Sequence, residues 1–216
     1  MKGIWLKSGE EFEYPVITNS CIYDMGESVV ASSYPMLKLY QPLQDDLYNS
    51  EYGERDLKRA TRLAIAPAGS GHDCFLKGIV VSFDLTLSLK CWTEAERYTF
   101  LNFVSSMSSL KLTEADAHIA FVEYTDPDAI HILDSRMKVY QRNKTKDNWL
   151  RMVYSMPTGL LLSARMTTNY MQLKTIHNQR RAHRLPEWQE FCDWIETLPH
   201  SEWITSQGWI TLQGVN

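Results

Sequence analysis

The densest run of reactive and ligand-gripping side chains lies between residues 166 and 184, MTTNYMQLKTIHNQRRAHR. Asn169 and Arg180 are eleven residues apart. At about 100° and 1.5 Å per residue, a helix returns such a pair to within about 20° of one face, about 16 Å apart along the axis. An amide at one end and a guanidinium at the other suit a ligand with a ring at one end and a phosphate at the other, because Arg grips phosphate through paired N–H bonds. Arg184, about one turn beyond, would add to the positive potential. A second reading stays open: the basic residues, with His183 among them, could simply complement the negative end of a helix dipole.

Further residues with chemical potential are scattered upstream. Gly71-His72 precedes a strand-like run, and Gly69-Ser70-Gly71 is too short and misspaced to be a phosphate loop. Arg97 could meet an anion or form an ordinary ion pair with its neighbours Glu94 or Glu96. Ser105 and Ser106 could hydrogen-bond a ligand, or cap or break a helix end. His118 and His131 have acidic neighbours but no metal-ligand spacing, and solvated faces explain them. No metal is expected.

Recurrent apolar positions define the elements that must hold these groups. Leu57, Ala60 and Ala64 predict a helix over 54–66, ended by Pro67 and Gly69-Ser70-Gly71. From Cys74 to Leu87 the alternation of Ile79, Val81, Phe83 and Leu85 against Val80, Ser82, Asp84 and Thr86 predicts a half-buried strand. Trp92 to Met107 reads as an amphipathic helix, and Thr113 with Asp116 as a capping box opening a short helix to about Tyr124. Asp126-Pro127 opens another helix, with Ile130, Leu133, Met137 and Tyr140 as its buried stripe. Trp149–Met156 and Gly159–Met166 read as two strands of a hairpin. Thr167 or Thr168 would cap a helix running to about Arg184, and a last helix would begin at Pro186. Four of the seven tryptophans lie beyond residue 187, a pattern that marks core or subunit interface rather than a ligand box.

Composition bounds what such a chain can be. Its 216 residues, 44% hydrophobic and 22% charged, match a globular protein of one domain, 1–216, rather than a disordered or fibrous chain. Twenty-two basic against 26 acidic side chains give a net charge of −4, so nucleic acid is not demanded as a partner. A stripe of Lys174, Arg180, Arg181 and Arg184 is the one feature that could track phosphates. No run of about 20 apolar residues suggests a membrane span, and the N-terminus lacks a secretory h-region, so a cytoplasmic location is expected. Cys21, Cys74, Cys91 and Cys192 form no CxxC pair and are expected to be buried thiols.

The segment from Thr167-Thr168-Asn169 through Arg180, followed by His183 and Trp188, resembles the C-terminal signature of flavin-dependent thymidylate synthases. Gly71-His72 before the 74–87 strand is similar to the Gly-His turn of the same family, and the likeness spans about residues 60–195, leaving 196–216 as a tail. The resemblance implies an α+β fold with a mixed or antiparallel sheet flanked by helices. It implies FAD contacted by His72, Asn169 and Asn178, and a pyrimidine nucleotide such as dUMP contacted by Arg97, Ser105, Ser106, Arg180 and Arg184. It further implies a folate one-carbon donor, reduced nicotinamide and a homo-oligomer, a tetramer by resemblance, of phage type and acting in a host cytoplasm. The sequence departs from the family where its central Arg-His-Arg motif would fall, at Arg97-Tyr98-Thr99 and Ser105-Ser106-Met107-Ser108-Ser109, and Lys77-Gly78 replaces the Glu-His pair. Three functions therefore stand at this stage: the flavin-dependent methyltransferase, a non-catalytic nucleotide binder on the same scaffold, and a nucleic-acid-binding accessory protein.

Overall fold

A computed structural model describes residues 1–37, 52–66, 70–108 and 118–206. The alternation in the 74–87 run is realised as a strand that begins six residues later than expected. Cys74–Lys77 forms a single 3-10 turn, and the strand then runs Val80–Ser88 (β4) with Val81, Phe83, Leu85 and Leu87 buried. Gly71, at φ 77°, makes the left-handed turn that leads into it, a conformation that costs a glycine little.

β4 is a central strand of a four-stranded antiparallel sheet. Its neighbours are β3 (Ile17–Tyr23) on one side and β7 (Leu161–Asn169) on the other, and β5 (Asn102–Ser106) pairs with β7 at the edge, giving the order β3-β4-β7-β5. Nine consecutive residues of β4 and β7 pair, from Val80↔Asn169 to Ser88↔Leu161. That ladder fixes where Asn169 emerges: opposite the start of β4, at the end of β7. A second antiparallel sheet, β2-β1-β6, combines β1 (Lys2–Trp5), β2 (Glu11–Glu13) and β6 (Ala120–Val122).

One face of the larger sheet carries the main core. Helices α6 (Tyr170–Arg180) and α7 (Pro186–Glu196) bury Leu173, Ile176, Trp188, Phe191 and Ile195 there, and the Phe83 ring meets Phe191 at 5.8 Å and Trp194 at 4.7 Å. A fully buried side chain of this size contributes about 1.5–3 kcal/mol of transfer free energy. Trp203 of α8 (Glu202–Thr205) is also buried, so the tail tryptophans among the described residues serve the core, as their spacing suggested. The first third contributes α1 (Met25–Ala31) and α2 (Glu54–Ala64), the second of which fits the helix expected over 54–66.

A smaller core unites β6 with α4 (Pro127–Arg142) and α5 (Lys146–Val153) through Phe121, Leu133, Met137 and Met152. α4 starts as expected: the Asp126 side chain accepts the Asp128 N–H and Pro127 occupies the first turn.

Several expected elements are corrected. Trp92–Met107 is not one helix: α3 (Leu89–Ala95) stops after two turns, and the aromatic and β-branched residues beyond it enter strand β5, where pairing with β7 wins over helical periodicity. Trp149–Met156 is not a strand, because Thr145 caps α5 by accepting the Asn148 N–H and Arg151 pairs with Asp147 one turn back. β7 therefore pairs with β4 and β5 rather than in the expected hairpin. Residues 120–122 are strand rather than helix, and Thr113 and Asp116 lie outside the described residues. Thr167 and Thr168 belong to β7, so the capping role passes to Asn169, and α6 ends at Arg180 rather than Arg184. Cys21 and Cys74 are exposed; only Cys91 and Cys192 are buried. Burial pushes the Cys192 thiol up to about 12 and the Cys91 thiol higher still.

Candidate functional site

α6 begins where β7 ends, so Asn169 leaves the sheet with extended backbone and becomes the N-cap. Its side-chain oxygen accepts the Gln172 N–H at 2.9 Å. That bond satisfies a donor the helix cannot pair internally and fixes the amide against its own first turn. One turn on, Lys174 is buried and donates to Asp73 Oδ2 (2.9 Å) and to the Ala64 carbonyl (2.6 Å). Because Asp73 follows His72, this pair ties the Gly71-His72 turn to α6. The His72 side chain itself is exposed.

The far end of α6 holds a closed polar cluster. Arg180 donates from Nε to the Tyr98 hydroxyl (2.7 Å) and from a terminal nitrogen to Glu94 Oε2 (2.8 Å). Its guanidinium carbon also lies 4.7 Å from the Trp188 ring centroid and 5.5 Å from that of Tyr98. Glu94 is a hub: Lys90 Nζ reaches Oε1 at 2.6 Å, while Trp188 Nε1 (3.2 Å) and His183 Nε2 (3.3 Å) join Arg180 at Oε2. His183 Nδ1 accepts the Leu185 N–H at 3.2 Å, which orients the ring so that Nε2 lies 3.3 Å from Glu94 Oε2. Burial alone would raise the Glu94 pKa, but hydrogen bonds from Lys90 and Trp188 and the neighbouring charges outweigh it and hold the carboxyl below its ordinary range. Tyr98 shifts the other way, raised by burial against the opposing pull of Arg180.

The remaining candidates do not converge on this cluster. Arg97 is exposed next to Tyr98. Ser105 pairs with Arg165 across β5 and β7 on the sheet face opposite α6, where both serines line an open cleft of about 490 Å³ with Thr18, Asp84 and Arg165. Asn178 lies nine residues from Asn169, which at about 100° per residue puts it on the opposite side of α6. Arg184 is exposed beyond the helix end. The basic stripe is also dispersed: Lys174 is buried on Asp73, Arg180 on Glu94, and Arg181 pairs with Asp193 at 2.5 Å and Glu196 at 3.1 Å. Lys174 and Arg180 are engaged within the fold, whereas Arg181 meets its acidic partners at the exposed surface, so the four residues do not form one continuous stripe.

Sequence reasoning treated Glu94 only as a neighbour of Arg97 and missed its role as the centre of the cluster. A signal existed in the Lys90/Glu94 spacing of one helical turn, with Cys91 and Ala95 marking that side of α3 as buried.

Both ends of the site depart from the family pattern. At the α6 end the Glu94 carboxylate already occupies the Arg180 guanidinium. At the other end Gly78 stands where the family pattern has His, and a Cβ placed there would lie 2.4 Å from Ser28 Oγ, so a side chain there requires the Ser28 hydroxyl to move.

No protein-family model and no curated protein matches the chain. Solved structures do. A crystal structure of thymidylate synthase X from Helicobacter pylori with FAD and dUMP aligns at a TM-score of 0.62 and 16% identity, covering 89% of this chain and 96% of that one. A second structure of the Helicobacter pylori flavin-dependent enzyme, also complexed with FAD and dUMP, aligns at 0.62 and 15% identity over 96% and 98%. At this identity the likeness establishes the fold: antiparallel sheets flanked by helices, the architecture of flavin-dependent thymidylate synthases. Among the described residues no helix is long and apolar enough to cross a membrane.

Proposed function

We propose that the chain is a nucleotide-binding protein on the flavin-dependent thymidylate synthase scaffold, one that takes a pyrimidine nucleotide without methylating it. One observation carries the loss of chemistry: the Arg180 guanidinium is held by Glu94 at 2.8 Å and Tyr98 at 2.7 Å rather than presented to a ligand. Support for a nucleotide comes from the fold shared with proteins crystallised with FAD and dUMP and from the placement of Asn169 and Arg180 at the two ends of one helix. In this reading Asn169 contacts the ring end of the ligand, and Arg180 reaches its phosphate only once Glu94 has released the guanidinium, with Arg184 beside it. His72, Asn178, Arg97, Ser105 and Ser106 would join only through a second subunit, because within one chain they face elsewhere.

A homo-oligomer belongs to the same proposal. Phe103, Val104 and Met107 are exposed on and beside β5, which among the described residues is an edge strand, and such an edge with apolar side chains favours a partner strand. The resemblance further supports a cytoplasmic protein, in a host cell if phage-encoded.

The test combines a dUMP titration by calorimetry with an absorbance scan of the purified protein from about 350 to 500 nm, the band in which a flavin reports itself. Binding heat with no flavin band is the expected result. A second reading, the complete synthase with FAD, a folate donor and reduced nicotinamide, is favoured by coverage of nearly all of both chains in the structural alignment. It requires the flavin band. Absence of both signals rejects both readings.

A further inference from the structure

We propose that Glu94 is a built-in anion: its carboxylate fills an oxyanion pocket formed by Lys90, Arg180, His183 and Trp188, and competes there with the phosphate of any ligand arriving at the end of α6. Three donors, Lys90, Arg180 and Trp188, hydrogen-bond a single carboxylate at 2.6 to 3.2 Å, and His183 Nε2 lies 3.3 Å from the same oxygen as Arg180. Two of the donors carry full charges, one is an indole N–H, and the imidazole is oriented by the Leu185 N–H that its Nδ1 accepts. This set of donors, cationic and neutral together, is what a phosphomonoester uses when it is bound tightly. The nearby buried carboxylate of Glu187 does not share the pocket; it accepts the Ser88 backbone N–H at 3.1 Å.

The occupant can leave at modest cost. Glu94 lies in the last turn of α3, a helix of only seven residues, and terminal turns open more readily than helix interiors. Phosphate and carboxylate cannot share the pocket, since two anions on one guanidinium repel. Glu94 therefore sets the affinity of the site for phosphate-bearing ligands and keeps it low in the resting protein.

The inference rests on reading the α6 end as the phosphate end of a nucleotide site, and inorganic phosphate is the probe because it needs no ring contact. Melting temperature and tryptophan fluorescence are followed as phosphate is added, with sodium chloride matching ionic strength, for the wild type, Glu94→Ala and Glu94→Gln. Glu94→Ala removes the occupant and leaves room; it should melt lower and recover with phosphate saturably, at about a tenth or less of the concentration at which the wild type responds. Glu94→Gln keeps the shape but removes the charge and should respond at an intermediate concentration. Adding Arg180→Met to Glu94→Ala should abolish the recovery. Equal phosphate responses in the wild type and in whichever variants fold overturn the proposal. A phosphate response in Glu94→Ala without any dUMP affinity would keep this inference and reject the nucleotide reading instead.

Discussion

Arg180 and Glu94, 86 residues apart in sequence, are joined by a 2.8 Å ion pair that closes the end of α6 over the last turn of α3. The guanidinium is planar and stacks on Trp188 while its N–H groups reach Glu94 and Tyr98, a geometry that an ammonium cannot reproduce. Removing Arg180 leaves the Glu94 carboxylate with Lys90 and Trp188 as its remaining donors. Arg180→Ala is expected to lower unfolding free energy by about 1.5–3 kcal/mol in urea titrations. Arg180→Lys should lose a smaller but clear part of that. A neutral outcome for Arg180→Ala would mean that the guanidinium is free for other work.

Acid should loosen the same contact. The folded-state pKa of Glu94 lies below its unfolded value, so its contribution is fully present above about pH 4.3 and is lost as pH falls through the depressed folded value. Asp56, held low by the hydrogen bond from Arg59, and Asp84, held low by that from Asn19, act with the same sign. Urea midpoints of the wild type and Glu94→Gln should differ at neutral pH and draw together below about pH 4. A gap that stays constant down to acid would show that the ionised form of Glu94 is not what the cluster stabilises.

Lys174 and Asp73 form the other buried pair, each side chain about 5% exposed, and they anchor the Gly71-His72 turn to α6. Lys174→Met alone should cost about 3–5 kcal/mol, because Asp73 is then buried without its cation. The double change Lys174→Met with Asp73→Leu should cost less than the single one. Denaturant titrations of the two variants decide this, and a double variant that is the less stable of the two would contradict the ion-pair account.

The sequence exposes those parts of the fold that depend on one element at a time. Alternation at Val81, Phe83 and Leu85 locates β4, the Asp126-Pro127 cap locates α4, and Pro186 with Trp188, Phe191 and Ile195 locates α7, since each pattern records burial against a single neighbour. It misleads where long-range pairing decides. Phe103 continues a helical pattern from Trp92 until pairing with Met166 of β7 claims it as strand. The site divides in the same way. The Asn169–Arg180 spacing on α6 is readable, but Glu94 and Tyr98 come from another segment, and nothing in local spacing announces that the guanidinium finds its anion there.

Cysteine reactivity offers an independent check of the packing. Cys21 and Cys74 are exposed, whereas Cys91 and Cys192 are buried and their thiols are held protonated by desolvation. Maleimide labelling of the native protein followed by mass spectrometry should modify Cys21 and Cys74 rapidly, with Cys91 and Cys192 reacting only after denaturation. Fast native labelling of Cys91, on the same helix as Glu94, would show that α3 is not packed as described.

The most direct measurement is turnover itself: dTMP formed from dUMP by the purified protein supplied with FAD, methylenetetrahydrofolate and reduced nicotinamide. With Arg180 engaged by Glu94 and Gly78 in place of the family's His, the expected yield is indistinguishable from a protein-free control. Sustained dTMP production that disappears in Arg180→Ala would contradict the account, since the site would then support methyl transfer and not nucleotide binding alone.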